Sequence, residues 1–280
     1  MSQVNIKVVN HVEKFLTFYQ LAKDCDEHRV WELWKEHYNF AAVPPGEQGE
    51  KMAQELLKNA WHMYPSIIDN LIKWKPDVEK AKHYLKKVTD LLNYNQDIDI
   101  VLVYFVGAFD HNPFVAPIND GKIALCMPVE DSKEDIMLTH ELTHIVHSKT
   151  AELAVEWERS LATVIIQEGL AMHVSKRLVP NYPIEDYVEH KKGWLVDCKK
   201  QAKEIIQGLL PVLEETSYEK VFQFTMGHGT TGCEREAYYV GWVLVEHMLK
   251  HEYRFEKIAA IKQKDMPDTI RQHLHHLMSN

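Results

Sequence analysis

The sequence has few cysteines, and none of them are close neighbours. Among 280 residues there are four, Cys25, Cys126, Cys198 and Cys233, and they include no CxxC pair. Paired cysteines at short spacing are the usual signature of a thiolate zinc site, and an ordered cysteine framework is typical of disulfide-linked secreted domains. The observed spacing instead predicts reduced thiols in a cytoplasmic protein and argues against a metal held by cysteine.

The sequence also lacks a long apolar segment. Its longest apolar run, residues 100–109, is about half of the roughly 20 residues that a transmembrane helix requires. The first residues, MSQVNIKVVNHVEKF, lack the basic start, apolar centre and small-residue cleavage site of a secretory signal. We therefore predict no signal peptide and no membrane partner.

Positive charge is scarce as well. The chain has 32 Lys and Arg against 41 Asp and Glu, for a net charge of −9. Proteins that bind nucleic acid need clustered basic side chains to displace counterions from phosphates, so we predict no nucleic-acid partner. The composition is otherwise that of a globular chain long enough for one large domain or two lobes, and it predicts no particular oligomeric state.

The spacing of apolar residues predicts an α+β protein that is mostly α. In residues 11–92, aromatic and apolar side chains recur every three or four positions, which indicates several helices that pack their aromatic stripes as core. Residues 98–107 and 122–128 predict two strands of a small sheet, with turn residues at 119–121. Helices return after residue 132. We therefore divide the chain into a helical N-terminal region, 1–96, and a second region, 97–280.

The most informative motif is HELTH, residues 140–144. Ser132 and Asp135 resemble a capping box, which predicts a helix from about residue 132 to 147. On that helix His140 and His144 lie one turn apart, close enough for both imidazoles to reach one zinc ion. Glu141 is turned about 100° away and is better placed to hold a water molecule beside the ion than to ligate it. The alternative is a solvated helix face that carries two histidines by chance.

A third ligand is predicted in SLATVIIQEGLAMHVS, residues 160–175. Glu168 falls on the same helical stripe as the apolar Leu161, Ile165 and Met172. A buried carboxylate normally pairs, becomes protonated or binds a metal, and zinc would supply the compensating charge. The alternative is a salt bridge, but the nearest basic residues along this helix, 176 and 177, are more than two turns away.

HELTH followed by a glutamate on a later helix resembles the gluzincin class of zinc metallopeptidases. HELTH, QEGLA and AYYVGW together resemble, over residues 97–250, a bacterial domain-of-unknown-function family of predicted Zn-dependent proteases. The resemblance implies a zincin-like domain at 97–280, a zinc cofactor bound by His140, His144 and Glu168, and Glu141 as general base. The chain departs from the gluzincin pattern at Met172, where an orienting Asp is common, and it lacks the GxMEN aminopeptidase motif.

Peptide hydrolysis also requires a donor that stabilises the developing oxyanion. Thr231 and Glu234 resemble a capping box, which predicts a helix carrying Tyr238 and Tyr239. We rank Tyr238 first as the donor and Tyr239 second, and His228 in the preceding loop is a further candidate. The alternative for either tyrosine is a core residue whose hydroxyl meets a carbonyl.

The remaining histidines have simpler interpretations. His147 is too far along the helix axis to join the same ion, so we predict that it interacts with the helix dipole at the C-terminal end. His173 is a minor candidate for a group that supports the ligands. The tail histidines His273, His275 and His276 predict a surface helix end that could collect adventitious metal.

These observations predict a zinc-dependent peptidase whose partner is a peptide or protein substrate. We also expect the strand at 122–128 to offer an exposed edge on which an extended peptide adds as a further strand. Two alternatives stay open. One is a zinc hydrolase acting on a small-molecule amide or ester, and the other is a non-catalytic regulatory protein that keeps a metallopeptidase fold.

Overall fold

The computed structural model describes residues 3–44, 46–109, 113–118, 123–130, 134–153, 159–251 and 253–279. The chain forms two compact units. The first contains residues 1–83 and 96–141, and the second contains residues 84–95 and 142–280. Each unit contains residues from both sides of the boundary predicted between residues 96 and 97. That boundary stays a prediction.

The first unit contains a four-stranded mixed sheet. Its strands are β1 (Val4–Asn10), β2 (Ile98–Phe105), β3 (Phe114–Pro117) and β4 (Ile123–Pro128). The spatial order is β1-β2-β4-β3, with β1, β2 and β4 parallel and β3 antiparallel to β4. Both predicted strands are confirmed as β2 and β4, and the turn predicted at 119–121 lies outside the described residues.

Two expectations about this sheet were wrong. The first 96 residues are not wholly helical, because β1 pairs in register with β2 from Val4 opposite Ile98 to Asn10 opposite Tyr104. The strand at 122–128 is not an edge, because β4 lies between β2 and β3. Among the described strands, the two edges are β1 and β3.

The helices of the first unit bury the predicted aromatic stripes. They are α1 (Val12–Ala22), α2 (Glu27–His37), α3 (Glu47–Ala60) and α4 (Ile68–Lys73), and α5 (Val78–Leu91) continues into the second unit. Phe15 and Phe18 are fully buried; Phe18 stacks against Tyr38, and Phe15 contacts it edge to face. The Tyr38 hydroxyl donates to the carbonyl oxygen of Val106 at 2.7 Å and accepts from its N–H at 2.8 Å. The aromatic residues are therefore core, as predicted, and this hydroxyl ties α2 to the chain just after β2.

Apart from an isolated bridge between His228 and Glu234, the regular secondary structure in the described residues of the second unit is helical. After α6 (Glu134–Thr150), which runs from the first unit into the second, come α7 (Leu161–Leu178), α8 (Glu185–Val188), α9 (Trp194–Lys200), α10 (Ala202–Leu209), α11 (Tyr218–Thr225), α12 (Glu236–Lys250), α13 (Phe255–Ala259) and α14 (Met266–Ser279). The predicted breaks at 178–183 and 226–232 fall between helices. The predicted class, α+β and mostly α, is confirmed.

Helices α7 and α12 cross at two glycines. A Cβ on Gly241 would lie 2.4 Å from the carbonyl oxygen of Ile165 and 2.9 Å from the backbone nitrogen of Gly169. Side chains larger than hydrogen would hold the two backbones apart at this point. One turn further along α7, His173 stacks on Trp242 with ring centroids 3.9 Å apart, and its Nε2 lies 2.9 Å from the Trp242 carbonyl oxygen. The crossing fixes the part of α7 that carries Glu168.

Candidate metal centre

Helix α6 presents the HELTH motif on a half-buried face. Leu138, Leu142 and Ile145 are buried on the apolar side, as predicted from their spacing. His140, Glu141 and His144 are half-buried, and one ligand atom of each lies within 4.8 Å of the others. The helix begins at Glu134, so the predicted cap at Ser132 lies outside the described residues. Local helix geometry alone therefore brings the three side chains of the motif together.

Helix α7 brings Glu168 to this face. The helix starts where predicted, with the hydroxyl of Ser160 accepting from the N–H of Thr163. Most of its residues are buried, and the Glu168 side chain is 15% exposed. Its Oε1 lies 3.5 Å from Nε2 of His144, whose side chain is 17% exposed. The contact places the predicted third ligand beside one of the first two.

The donor set fits a zinc ion. Imidazole nitrogens and carboxylate oxygens are the usual ligands of catalytic zinc sites, which take three from the protein and leave one position open. Two ligands of a tetrahedral zinc ion, each about 2.0–2.1 Å from the metal, are about 3.4 Å apart. The measured 3.5 Å between His144 and Glu168 is close to that separation. These two residues could flank one ion with little movement. A ligand nitrogen of His140 lies within 4.8 Å of one of His144, close enough for His140 to bind the same ion.

Arg159 is a functional candidate that sequence reasoning missed. The only basic residues considered near Glu168 lay at its C-terminal side, yet Arg159 precedes the helix and folds back along its first turns. Its guanidinium donates to Oε1 of Gln167 at 3.0 Å. Burial lowers the pKa of Arg159, and the negative charge of Glu168 opposes this effect. The basic residues along α7 are more than two turns from Glu168, as stated from the sequence, but Arg159, directly before the capping Ser160, supplies a positive charge from outside the helix.

His147 differs from its predicted role. It lies in the last turn of α6, as expected, but it is completely buried. Burial, with repulsion from His144 and Arg159, lowers the pKa of His147 to about 3. The ring is neutral near pH 7 and supplies no charge to the helix dipole. His147 is therefore part of the core.

The predicted cap of α12 was also wrong. The helix begins at Glu236 after Arg235, which has a left-handed backbone (φ 55°). Glu236 is fully buried, and its carboxylate accepts from the N–H groups of Thr230 and Thr231 at 2.9 and 2.8 Å and from the Thr231 hydroxyl at 2.6 Å. Thr231 thus pairs with Glu236 rather than with Glu234.

Glu234, the other half of the predicted cap, has different partners. Its carboxylate contacts the imidazole of His190 at 3.0 Å and the ammonium of Lys191. Both contacts lower the pKa of Glu234 to about 2. This ion cluster joins the loop before α12 to the loop after α8.

The three candidate oxyanion donors lie in different surroundings. Tyr238 is half-buried, with the guanidinium of Arg235 5.4 Å from its ring centroid. Tyr239 is buried near Trp194, and burial raises its pKa to about 12. His228 is 69% exposed and lies 3.5 Å from Glu234. The described contacts place Tyr239 in the core and His228 beside Glu234, and all three assignments stay predictions.

All four cysteines are free thiols, as predicted from their spacing. Among the described residues, no helix is both long enough and apolar enough to span a membrane.

Comparison with known protein families gives a match. A family model described as "Predicted Zn-dependent protease (DUF2268)" matches residues 115–267, more than half of the chain. The matched range contains the HELTH helix, Glu168 and the whole of α12. No curated protein matches the chain.

Proposed function

Because the chain belongs to the family of predicted Zn-dependent proteases, we propose that it is a zinc-dependent peptidase whose ligands are His140, His144 and Glu168. The observation that carries the proposal is the convergence of two helices. The ligand atoms of the HELTH motif lie within 4.8 Å of one another, and Glu168 approaches His144 from α7 at 3.5 Å. Zinc bound there would supply Lewis acidity, which lowers the pKa of water to about 7 and polarises a substrate carbonyl.

Glu141 is the general base in this proposal. Like the two histidines, it is half-buried, and its carboxylate lies within 4.8 Å of their ligand nitrogens. Because it follows His140 directly in sequence, it lies next to the ligands along the helix. Its carboxylate takes a proton from the attacking water and delivers it to the amine that leaves. A purely structural site usually fills all four positions with protein ligands and needs no base, so Glu141 favours catalysis over a regulatory role.

Tyr238 is the preferred donor to the oxyanion. Its side chain is only half-buried, and the nearby positive charge of Arg235 favours negative charge in the surroundings of the ring. Tyr239 is less suited because its hydroxyl lies in the core and has a raised pKa. His228 is the remaining candidate. Arg159 adds a half-buried positive charge near Glu168, the proposed third ligand.

Strand β3 is the proposed docking edge for an extended peptide. It is antiparallel to β4 and is an edge of the sheet among the described strands, so one row of its backbone groups is available for pairing. Peptides often bind by adding a strand to such an edge. The proposal replaces the expectation that the strand at 122–128 serves this purpose.

The experiment compares wild type with Glu141→Gln on a quenched peptide library and on simple esters. The variant keeps the shape of the side chain and removes the base, so we expect zinc content to be unchanged and peptide turnover to fall by about 10²–10⁴. Glu134→Gln is the matched control, because Glu134 is on the same helix but binds Lys80 at 3.2 Å. Full peptidase activity in Glu141→Gln would refute the mechanism. Zinc-dependent turnover of esters alone would identify a small-molecule hydrolase, and no turnover with zinc bound would favour a regulatory protein.

A further inference from the structure

A second group of histidines lies where α12 ends beside α14. His247 and His251 come from the end of α12, and His273 and His276 come from the last turns of α14. The ring centroid of His247 lies 4.1 Å from the ring centroid of His251, 5.6 Å from that of His273 and 5.3 Å from that of His276. The tail was expected to be a surface helix end, and His275 and His276 are exposed near the end of α14. His273 and His276 also lie beside two histidines of α12.

Three of these residues have ring nitrogens close to one another. One ring nitrogen from each of His247, His251 and His276 lies within 4.8 Å of the other two. Ligands of a single zinc or similar ion lie about 3.4 Å apart, which small rotations of two exposed imidazoles would achieve. His247 and His251 also have the i, i+4 spacing of His140 and His144 in the HELTH motif.

The hydrogen bond of His251 prepares it as a ligand. Its Nδ1 lies 2.9 Å from the backbone carbonyl oxygen of His247. A carbonyl can only accept, so Nδ1 carries the proton and Nε2 is left with its lone pair. Metal-binding histidines are commonly fixed in this way, with the second nitrogen donating to a carbonyl.

The three histidines differ in exposure. His247 is 7% exposed, whereas His251 and His276 are exposed. The group therefore combines one buried imidazole with two that are open to solvent.

We propose that His247, His251 and His276 form a second metal site, which binds a divalent transition-metal ion and fastens the end of α14 to the end of α12. Donors that are all imidazole suit zinc, nickel and copper ions, and they do not suit magnesium or calcium, which prefer oxygen. The apolar residues Met266, Ile270 and Leu274 already hold α14 by burial. The ion would add a cross-link near its C-terminal end. The site is independent of the proposed peptidase centre.

The test measures zinc bound to the full chain, after removal of weakly held metal by gel filtration, in four proteins. These are wild type, His251→Ala, His276→Ala and His275→Ala. Both test residues are exposed, so their replacement leaves the core intact. His275 is the matched control, since it is exposed on the same helix and adjacent to His276 but outside the group. Thermal unfolding is followed with and without added Zn²⁺ or Ni²⁺, and circular dichroism checks that each variant is folded.

We expect wild type and His275→Ala to retain one more equivalent of zinc than His251→Ala and His276→Ala. We also expect added metal to raise the unfolding temperature by a few degrees more in the first pair, because only they bind the ion in the folded state. Equal zinc in all four proteins would overturn the proposal. An equal loss in all three variants would also overturn it, since this would indicate adventitious binding by surface histidines. If the peptidase centre held no zinc, the zinc content of all four proteins would be lower by the same amount. The difference in zinc content between the two pairs of proteins would not change.

Discussion

The backbones of Gly169 and Gly241 touch where α7 crosses α12. A Cβ on Gly169 would lie 2.2 Å from the carbonyl oxygen of Gly241, far inside van der Waals contact. The crossing has a functional meaning because Glu168, the proposed third ligand, immediately precedes Gly169. Tyr238, the proposed oxyanion donor, lies one helical turn before Gly241. Two glycines thus set the spacing between the helices that carry these residues.

Gly241→Ala is expected to destabilise the protein and to weaken zinc binding together. The added methyl group meets backbone atoms that cannot rotate away, and overpacking of this kind costs about 1–3 kcal/mol or more in the free energy of unfolding. Denaturant unfolding and zinc affinity would be measured in parallel. Lys250→Ala is the control, since Lys250 is exposed on the same helix and its surface pair with Glu246 contributes little. A variant with wild-type stability and affinity would show that the crossing tolerates a side chain.

His173 is expected to make the protein less stable in mild acid. Burial against Trp242 lowers the pKa of His173 to about 4, compared with 6.5 for an exposed histidine. The unfolded chain therefore takes up a proton before the folded one does. The contribution of neutral His173 to the free energy of unfolding is fully present above pH 6.5. It falls by about 3 kcal/mol as the pH is lowered from 6.5 to 4.

His173→Gln isolates this contribution. Glutamine does not titrate, and its amide could still donate to the Trp242 carbonyl. The free energy of unfolding of wild type and variant would be measured at several pH values between 7 and 4. The wild type should lose more stability across this range than the variant. Parallel curves would contradict the buried, neutral histidine.

Glu236 is expected to be essential for the start of α12. Its buried carboxylate accepts three hydrogen bonds from Thr230 and Thr231, and its removal leaves the two backbone N–H groups without their acceptor. We expect Glu236→Ala to cost about 3 kcal/mol in the free energy of unfolding, and Glu236→Gln to cost less because one oxygen remains. Chemical denaturation would measure both. Glu234→Gln serves as a surface comparison, and a smaller effect of Glu236→Ala than of Glu234→Gln would contradict the assignment.

The sequence predicted what depends on local spacing. The i, i+4 histidines of HELTH and the apolar stripes of α6 and α7 follow from helix geometry, and the structure has them as predicted. Glu168 could be found because a carboxylate on an apolar stripe is costly unless it has a partner. Strand β1 had a usable signal too, since Val4, Ile6 and Val8 alternate with more exposed residues.

The sequence could not predict which distant segments meet. The contact of Arg159 with Gln167 depends on how the chain enters α7, and the meeting of His247 with His276 depends on the packing of α14. The Thr231 cap failed because Glu236 accepts from Thr231, while Glu234 pairs with His190 and Lys191. The left-handed backbone of Arg235 lies between the two glutamates. Such choices depend on tertiary structure rather than on periodicity.

The most direct test of the central claim is the zinc content of Glu168→Ala. It is best measured in the His251→Ala background, so that metal at the C-terminal histidines does not contribute, and the protein without the Glu168 change serves as reference. We expect about one equivalent of zinc in the reference, held at His140, His144 and Glu168, and a loss of most of it in the variant. Equal zinc in the two proteins, or none in the reference, would contradict the proposed metal centre.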